Sequence, residues 1–340
     1  MIKNDTDNTN KPFPYGELDV LEQGLYDYDK TLLETLLIDR STGVNIIWGT
    51  SDYRQYGESF APEEQVRPEL VTDKYASLIQ PRSAKSKEEQ ERRTRDKAEV
   101  FTPSWVCNKQ NNIVDQAWFG RKRTFNRERG RKWTAIQKPV AFSNKKGRTW
   151  KDYVTADRLE ITCGEAPYLV SRYDTTTGEI IPVHRRIGLL DRKLRVVCEN
   201  TRTKKTWHKW ALEAFKSIYG YDYQGDNVLL ARENLLYSYA DYYKEMFVAE
   251  PGITELKEIA DIISWNIWQM DGIKYVVPNT CHPVERIEAR IVGDDISEIT
   301  TISECPGCKG GDKLKHNGVY AIIMDWKNDV PIRFVDVIRG

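Results

Sequence analysis

Leu159-Glu-Ile-Thr-Cys-Gly-Glu-Ala-Pro-Tyr-Leu169 reads as a strand that ends in a glycine-containing turn and opens toward a helix. Gly164 has no Cβ, so a ligand could approach the turn backbone closely there. Around this stretch, strands are expected over 158–162, 194–198, 218–223, 264–268 and 319–324. Helices are expected over 104–118, 207–217, 226–247 and 253–263, the third carrying Leu229, Leu230, Leu235 and Leu236 near helical spacing. Strands alternating with helices predict an α/β domain with a largely parallel sheet.

Upstream, residues 1–18 are polar and broken by Pro12 and Pro14, so they are expected to attach loosely. Residues 19–80 combine an apolar helical pattern with a short strand expected over 44–48. Residues 81–95 are almost wholly polar, either a solvated helix or a linker. The linker reading divides the chain into an N-terminal extension, 1–90, and a main domain, 91–340.

The 340 residues hold ample material for a core, and Lys+Arg and Asp+Glu are equal at 51 each. Overall charge therefore selects no partner, but its distribution does. Twelve Lys or Arg residues lie between Arg121 and Lys151, around one acid, Glu128, and among Trp118, Phe119, Phe125, Trp133, Phe142 and Trp150. Cations for phosphates and flat rings for bases suit a nucleic-acid surface, and a solvated face with core aromatics is the plain alternative. No apolar run approaches the roughly 20 residues a bilayer span needs. The polar N-terminus is no secretory signal, and six Cys suit a reducing compartment. A cytoplasmic protein is expected.

Three further segments carry chemistry in order. Arg93-Thr-Arg-Asp-Lys-Ala-Glu-Val-Phe-Thr-Pro-Ser-Trp-Val106 leads through Phe101, Thr102 and Pro103 into a helix. Ser217-Ile-Tyr-Gly-Tyr-Asp-Tyr-Gln-Gly-Asp226 ends a strand at an acceptor-only carboxylate, Asp222, which suits a vicinal diol. Asp226 reads as the cap of the next helix. Ile262-Ile-Ser-Trp-Asn-Ile-Trp-Gln-Met-Asp-Gly272 presents Asp271, which on its own reads as a turn residue.

Together with the Gly164 turn, these segments resemble the cofactor motifs of adenine-N6 DNA methyltransferases, the modification (M) subunits of restriction systems. The resemblance implies a Rossmann-like class I S-adenosylmethionine-dependent methyltransferase fold, with inserts at about 119–151 and 174–215. It also implies a pocket for S-adenosyl-L-methionine built from Phe101, Thr102, Pro103, Glu160, Gly164, Asp222 and Asp271. The family grips a flipped adenine with an Asn or Asp, Pro, Pro and aromatic loop, and this chain has no Pro-Pro. Gly318-Val-Tyr-Ala-Ile-Ile-Met-Asp-Trp326 offers Asp325 to bond the amine and Trp326 to stack on the base. Residues 332–340 alternatively resemble the strand that runs into that loop, and a partner subunit would then complete the site. Two functions follow: a DNA adenine-N6 methyltransferase, or an inert cofactor- or DNA-binding subunit that needs a partner chain.

Two segments depart from the pattern. The 174–215 insert carries Arg185 to Lys193, read either as a partner surface or as a solvated excursion. Residues 281–316 hold Cys281, His282, Cys305, Cys308 and His316. Cys-x-x-Cys across a Pro-Gly turn brings two thiolates onto one Zn²⁺, and Cys281 or His282 with His316 could finish a tetrahedron, making a structural site.

Overall fold

A computed structural model of the chain describes residues 12–15, 18–97, 102–143, 145–292 and 295–338. In chain order the helices are α1 (Glu22–Tyr28), α2 (Lys30–Leu37), α3 (Lys87–Lys97), α4 (Ser104–Phe119), α5 (Trp150–Val154) and α6 (Leu189–Asn200). After them come α7 (Lys204–Lys216), α8 (Gly225–Phe247), α9 (Ile253–Asn266), α10 (Pro306–Gly310) and α11 (Phe334–Val337). The strands are β1 (Asn126–Arg129), β2 (Lys132–Ala135), β3 (Arg158–Glu160), β4 (Ile218–Asp222) and β5 (Ile267–Gln269). Then follow β6 (Val284–Val292), β7 (Asp295–Ser303), β8 (Ile322–Asp325) and β9 (Val330–Arg333).

The architecture is mixed α/β, with a parallel sheet smaller than expected. β3, β4 and β5 pair in that order, with Glu160 opposite Gly220 and Asp222 opposite Gln269. The other strands form separate antiparallel hairpins, β1–β2, β6–β7 and β8–β9. The strand expected at 319–324 is β8, paired with β9 and not with the parallel sheet. The 332–340 segment turns from β9 into α11, and its last two residues lie outside the described ones.

α8 runs through the core and is buried along nearly its whole length. Its N-terminus abuts the backbone of Ile47 and Trp48: a Cβ on Gly225 would stand 2.1 Å from the Ile47 carbonyl oxygen. Midway, the buried Arg232 donates to the carbonyls of Leu36 (2.6 Å), Ile38 (2.8 Å), Ile267 (2.8 Å) and Ser264 (3.2 Å). One guanidinium thus satisfies the open carbonyl end of α2 and ties it to α9 and β5.

Several expectations are corrected. Residues 194–198 are helical, within α6: Leu190, Leu194 and Val197 recur at helical spacing and are buried, while Arg195 pairs with Glu199 one turn on. Residues 44–48 form no strand but two isolated bridges, because the side chain of Gln269 occupies the edge, bonding both the N–H and the carbonyl of Ile47 (2.9 and 2.8 Å). Of the two readings of 81–95 a helix forms, α3, which crosses the boundary drawn at residue 90. Its Arg93 is fully buried, 2.8 Å from Asp226 and 3.3 Å from Asp52. Asp226 is therefore an ion-pair partner and not the cap of α8, a position Gln224 holds. The 174–215 insert is no solvated excursion, since Asp191, Arg192 and Lys193 are at most 1% exposed.

Buried apolar residues between Phe13 and Ile79 share one hydrophobic core with others between Phe125 and Ile267. The loose attachment expected for 1–18 falls largely outside the described residues, but Phe13 is buried against Tyr237. Among the described residues, no helix is long and apolar enough to cross a membrane.

Candidate functional site: an acidic cleft, a basic face and a Cys/His cluster

The carboxyl ends of β3 and β4 open into a cleft of about 830 Å³, closed on one side by α4 through Gln110, Asn111 and Val114. In parallel α/β sheets this end of the strands is where ligands bind. The turn after β3 is unusual, because Thr162, Gly164 and Ala166 all have left-handed backbones (φ 47°, 52° and 61°). For the β-branched Thr162 and for Ala166 this costs about 1–3 kcal/mol each, strain of the kind that gathers at ligand sites. Space is open where a Gly164 Cβ would stand, and Gly164 lines the cleft.

Glu160 and Asp222, the carboxylates expected at the two strand ends, both line this cleft. Asp222 accepts from the Gly164 amide (2.9 Å), the Gln224 amide (3.1 Å) and Asn227 Nδ2 (3.3 Å). Glu160 accepts from the amides of Leu169 (3.1 Å) and Tyr168 (3.4 Å), which fixes the loop that follows the turn. Burial raises the pKa of both carboxyls, that of Glu160 well above the usual carboxylate range, despite these donors. Glu165 adds a third carboxyl, held by the Arg82 amide (2.6 Å) and the Tyr173 hydroxyl (2.7 Å). Among the described residues Arg82 is the one cationic residue in the lining, and its guanidinium already donates to Gln90 and Thr94. The cleft is acidic.

Of the other expected pocket residues, Thr102 lines the cleft, while Pro103 starts α4, its carbonyl accepting from Val106 (2.8 Å). Phe101 lies outside the described residues. Asp271 is not in the lining. Its carboxylate accepts from the amides of Ile273 (2.9 Å) and Lys274 (3.0 Å), the turn its sequence context allows.

Asp325 and Trp326 are not brought to the cleft. Trp326 Nε1 donates to Asn266 (2.8 Å), just before β5, and Lys327 pairs with Asp157 (3.1 Å), just before β3. Both contacts lie at the amino ends of the parallel strands. β4 separates the two ends by about 13 Å, four steps of roughly 3.3 Å. Asp325 closes the β8–β9 turn, accepting from Lys327 and Asn328 amides and from Asn328 Nδ2 (2.7 Å). Sequence reasoning missed Glu165, Arg82 and Asn111, which no motif marks.

Flanking α4, all twelve cations of 121–151 are exposed, and among the described residues none pairs with a carboxylate. The segment includes the β1–β2 hairpin, with Arg127, Arg129, Arg131 and Lys132. The aromatic residues of this face pack inward or carry cations: Phe119, Phe125 and Phe142 cluster with Tyr153, Arg148 lies over Trp118, and Arg131 reaches over Trp105 of α4.

Cys281, Cys305, Cys308 and His316 meet, with their ligand atoms all within 4.8 Å of one another. His316 Nδ1 is 3.5 Å from Cys281 Sγ and 3.7 Å from the Sγ atoms of Cys305 and Cys308. A tetrahedron with Zn–S near 2.3 Å and Zn–N near 2.0–2.1 Å has an S···N edge of about 3.6 Å. The cluster could hold a metal such as zinc. Burial and the neighbouring Cys305 and Cys308 thiols push the Cys281 thiol up to about 11. Burial also opposes ionisation of Cys305, but backbone amides led by Asn317 and Cys308 outweigh it and bring that thiol down to about 6. Three adjoining thiols cannot ionise together without a cation among them. His282 is outside the group, its backbone held by Asn317.

Comparison with protein-family models, with curated proteins and with solved structures gives no match.

Proposed function

We propose that this chain is the cofactor-binding member of an adenine-N6 DNA methyltransferase system, with a Rossmann-like methyltransferase core. In this reading it binds S-adenosylmethionine in the acidic cleft, offers its basic face to DNA and takes the adenine-gripping loop from a partner subunit. The observation that carries the reading is the cleft itself: Gly164 and two carboxyls, Glu160 and Asp222, at the ends of adjacent parallel strands.

S-adenosylmethionine supplies a methyl group on a cationic sulfonium. Three carboxyls around a cleft whose described lining holds a single, already engaged guanidinium favour a cation and disfavour a polyphosphate. Asp222 uses three of its roughly four acceptor positions, which leaves one for a ribose hydroxyl. The open backbone at Gly164 admits the ligand, and Thr102 and α4 exclude water from its flank. Beyond positioning, little acid–base chemistry is needed for an amine to displace the methyl group in line. For DNA, the twelve cations leave 39 in the rest of the chain against 50 acids, a polarity that orients a polyanion toward the α4 side. Asp325 and Trp326 sit beside Asn266 and Asn328, so the partner-dependent reading is preferred to a self-sufficient enzyme.

Calorimetry with S-adenosylmethionine tests the cofactor half. Binding is expected, weakened about 10- to 100-fold in Asp222→Ala by loss of a charged acceptor. ATP should not bind. Absence of S-adenosylmethionine binding refutes the reading. Transfer of labelled methyl groups to mixed-sequence DNA by the chain alone, abolished in Asp325→Ala, would replace the partner-dependent half.

A further inference from the structure

We propose that Cys281, Cys305, Cys308 and His316 bind one zinc ion whose role is to hold the base of the β6–β7 hairpin, with Asn317 as the residue that positions the ligands. This inference stands independently of the cleft. Three thiolates and an imidazole are soft, nitrogen–sulfur donors that select zinc over calcium or magnesium. All four corners come from protein, so no position remains for water or substrate, and the site is structural.

Its place in the chain gives the role. Cys281 lies three residues before β6 and Cys305 two residues after β7, so one ion joins both feet of the hairpin. The two strands pair over nine residues each, from Val284↔Ser303 to Val292↔Asp295, and among the described residues with no other strand. Ile287 and Ile302 share one face and are 66% and 69% exposed, so no core supports the arm there. A lone two-stranded hairpin is marginal in water, and its order must therefore come from its base.

Asn317 ties the same two feet together. Its Nδ2 donates to the His282 carbonyl (2.7 Å), its Oδ1 accepts from the His282 amide (3.2 Å), and its own amide donates to Cys305 Sγ (3.3 Å). It fixes the backbone next to Cys281 and feeds a hydrogen bond to a thiolate, as outer partners of metal ligands do.

The test is metal content together with hydrogen exchange on the full chain, using zinc alone as the probe. One zinc per chain is expected. Chelation should speed exchange over 284–292 and 295–303 at least about 10-fold while α8 amides stay protected, with reversal on adding zinc back. Cys308→Ser should lose zinc and show the fast arm even in excess zinc. Asn317→Ala should bind zinc about 10- to 100-fold more weakly, yet show a protected arm at saturation. A chain without zinc, an arm whose exchange ignores chelation, or loss of α8 protection along with the arm would overturn the clamp. Unchanged zinc affinity in Asn317→Ala would overturn the role of Asn317.

Discussion

Glu233→Gln should make the fold more resistant to alkaline pH. Glu22 on α1 and Glu233 on α8 are 0% and 1% exposed, and among the described residues no other side chain or backbone donor reaches their four carboxyl oxygens. Burial raises both pKa values well above 4.5, and each acid faces further acids: Asp19 beside both, and each other. Tyr237 faces the pair, and Arg172, whose guanidinium lies 5.0 Å from the Tyr237 ring centroid, lowers Glu233 without offsetting its burial. The folded chain thus keeps protons that the unfolded chain releases near pH 4.5. Because the folded state binds more protons, stability falls as pH rises from there until the buried acids themselves ionise. The slope is about 1.4 kcal/mol per pH unit for each retained proton. Gln keeps the shape, never ionises and can donate to Glu22. Across two pH units in that window the variant should gain about 3 kcal/mol on the parent chain. Urea midpoints at pH 5, 6, 7 and 8, with unchanged slopes, read this directly. Parallel pH profiles for the two proteins would refute it.

The ion cluster behind the cleft should fail in the opposite direction. Burial opposes ionisation of Asp226, but Arg93, Lys85 and Tyr53 outweigh it and hold the carboxyl at about 2. Its contribution is full above 3.8 and lost as pH falls toward 2; Arg93→Ala should cost about 3–5 kcal/mol at neutral pH, measured by urea unfolding. In the cleft, a bound sulfonium should lower the raised pKa values of Glu160 and Asp222 and release protons. Affinity for S-adenosylmethionine should then rise with pH, and that for the neutral-sulfur homocysteine analogue should rise less, by calorimetry in buffers of different ionisation enthalpy. At the Cys/His cluster, a Cβ on Gly307 would stand 2.5 Å from the His316 amide nitrogen. Gly307→Ala should therefore displace His316 and speed zinc loss to a chelator, followed with a colorimetric zinc indicator.

What could be read from the sequence was chemistry set by neighbours along the chain. Cys305 and Cys308 share one turn, and the strand ending at Asp222 precedes a long helix with leucines near helical spacing, so both features were legible. Residues 194–198 misled because β-branched Val196 and Val197 favour strands locally, whereas the burial of Leu190, Leu194 and Val197 follows a helical period. Asp325 and Trp326 carry the right chemistry for a strand end. Which end of the sheet they reach depends on β8 pairing with β9, and no local pattern encodes that. Buried charges such as Arg93, Arg192 and Lys193 were equally hidden, because their partners stand 24 to 133 residues away. Asp271 shows the limit of motif order: its turn is satisfied by the two amides that follow it.

In the proposed function the carboxyl ends of β3 and β4 hold S-adenosylmethionine. Photo-crosslinking with methyl-labelled S-adenosylmethionine, followed by peptide mapping, tests it most directly. Label is expected on peptides spanning 159–169 or 222–227, suppressed by excess unlabelled ligand and reduced in Asp222→Ala. No specific label, or label confined to the Asp325–Trp326 turn, would contradict it.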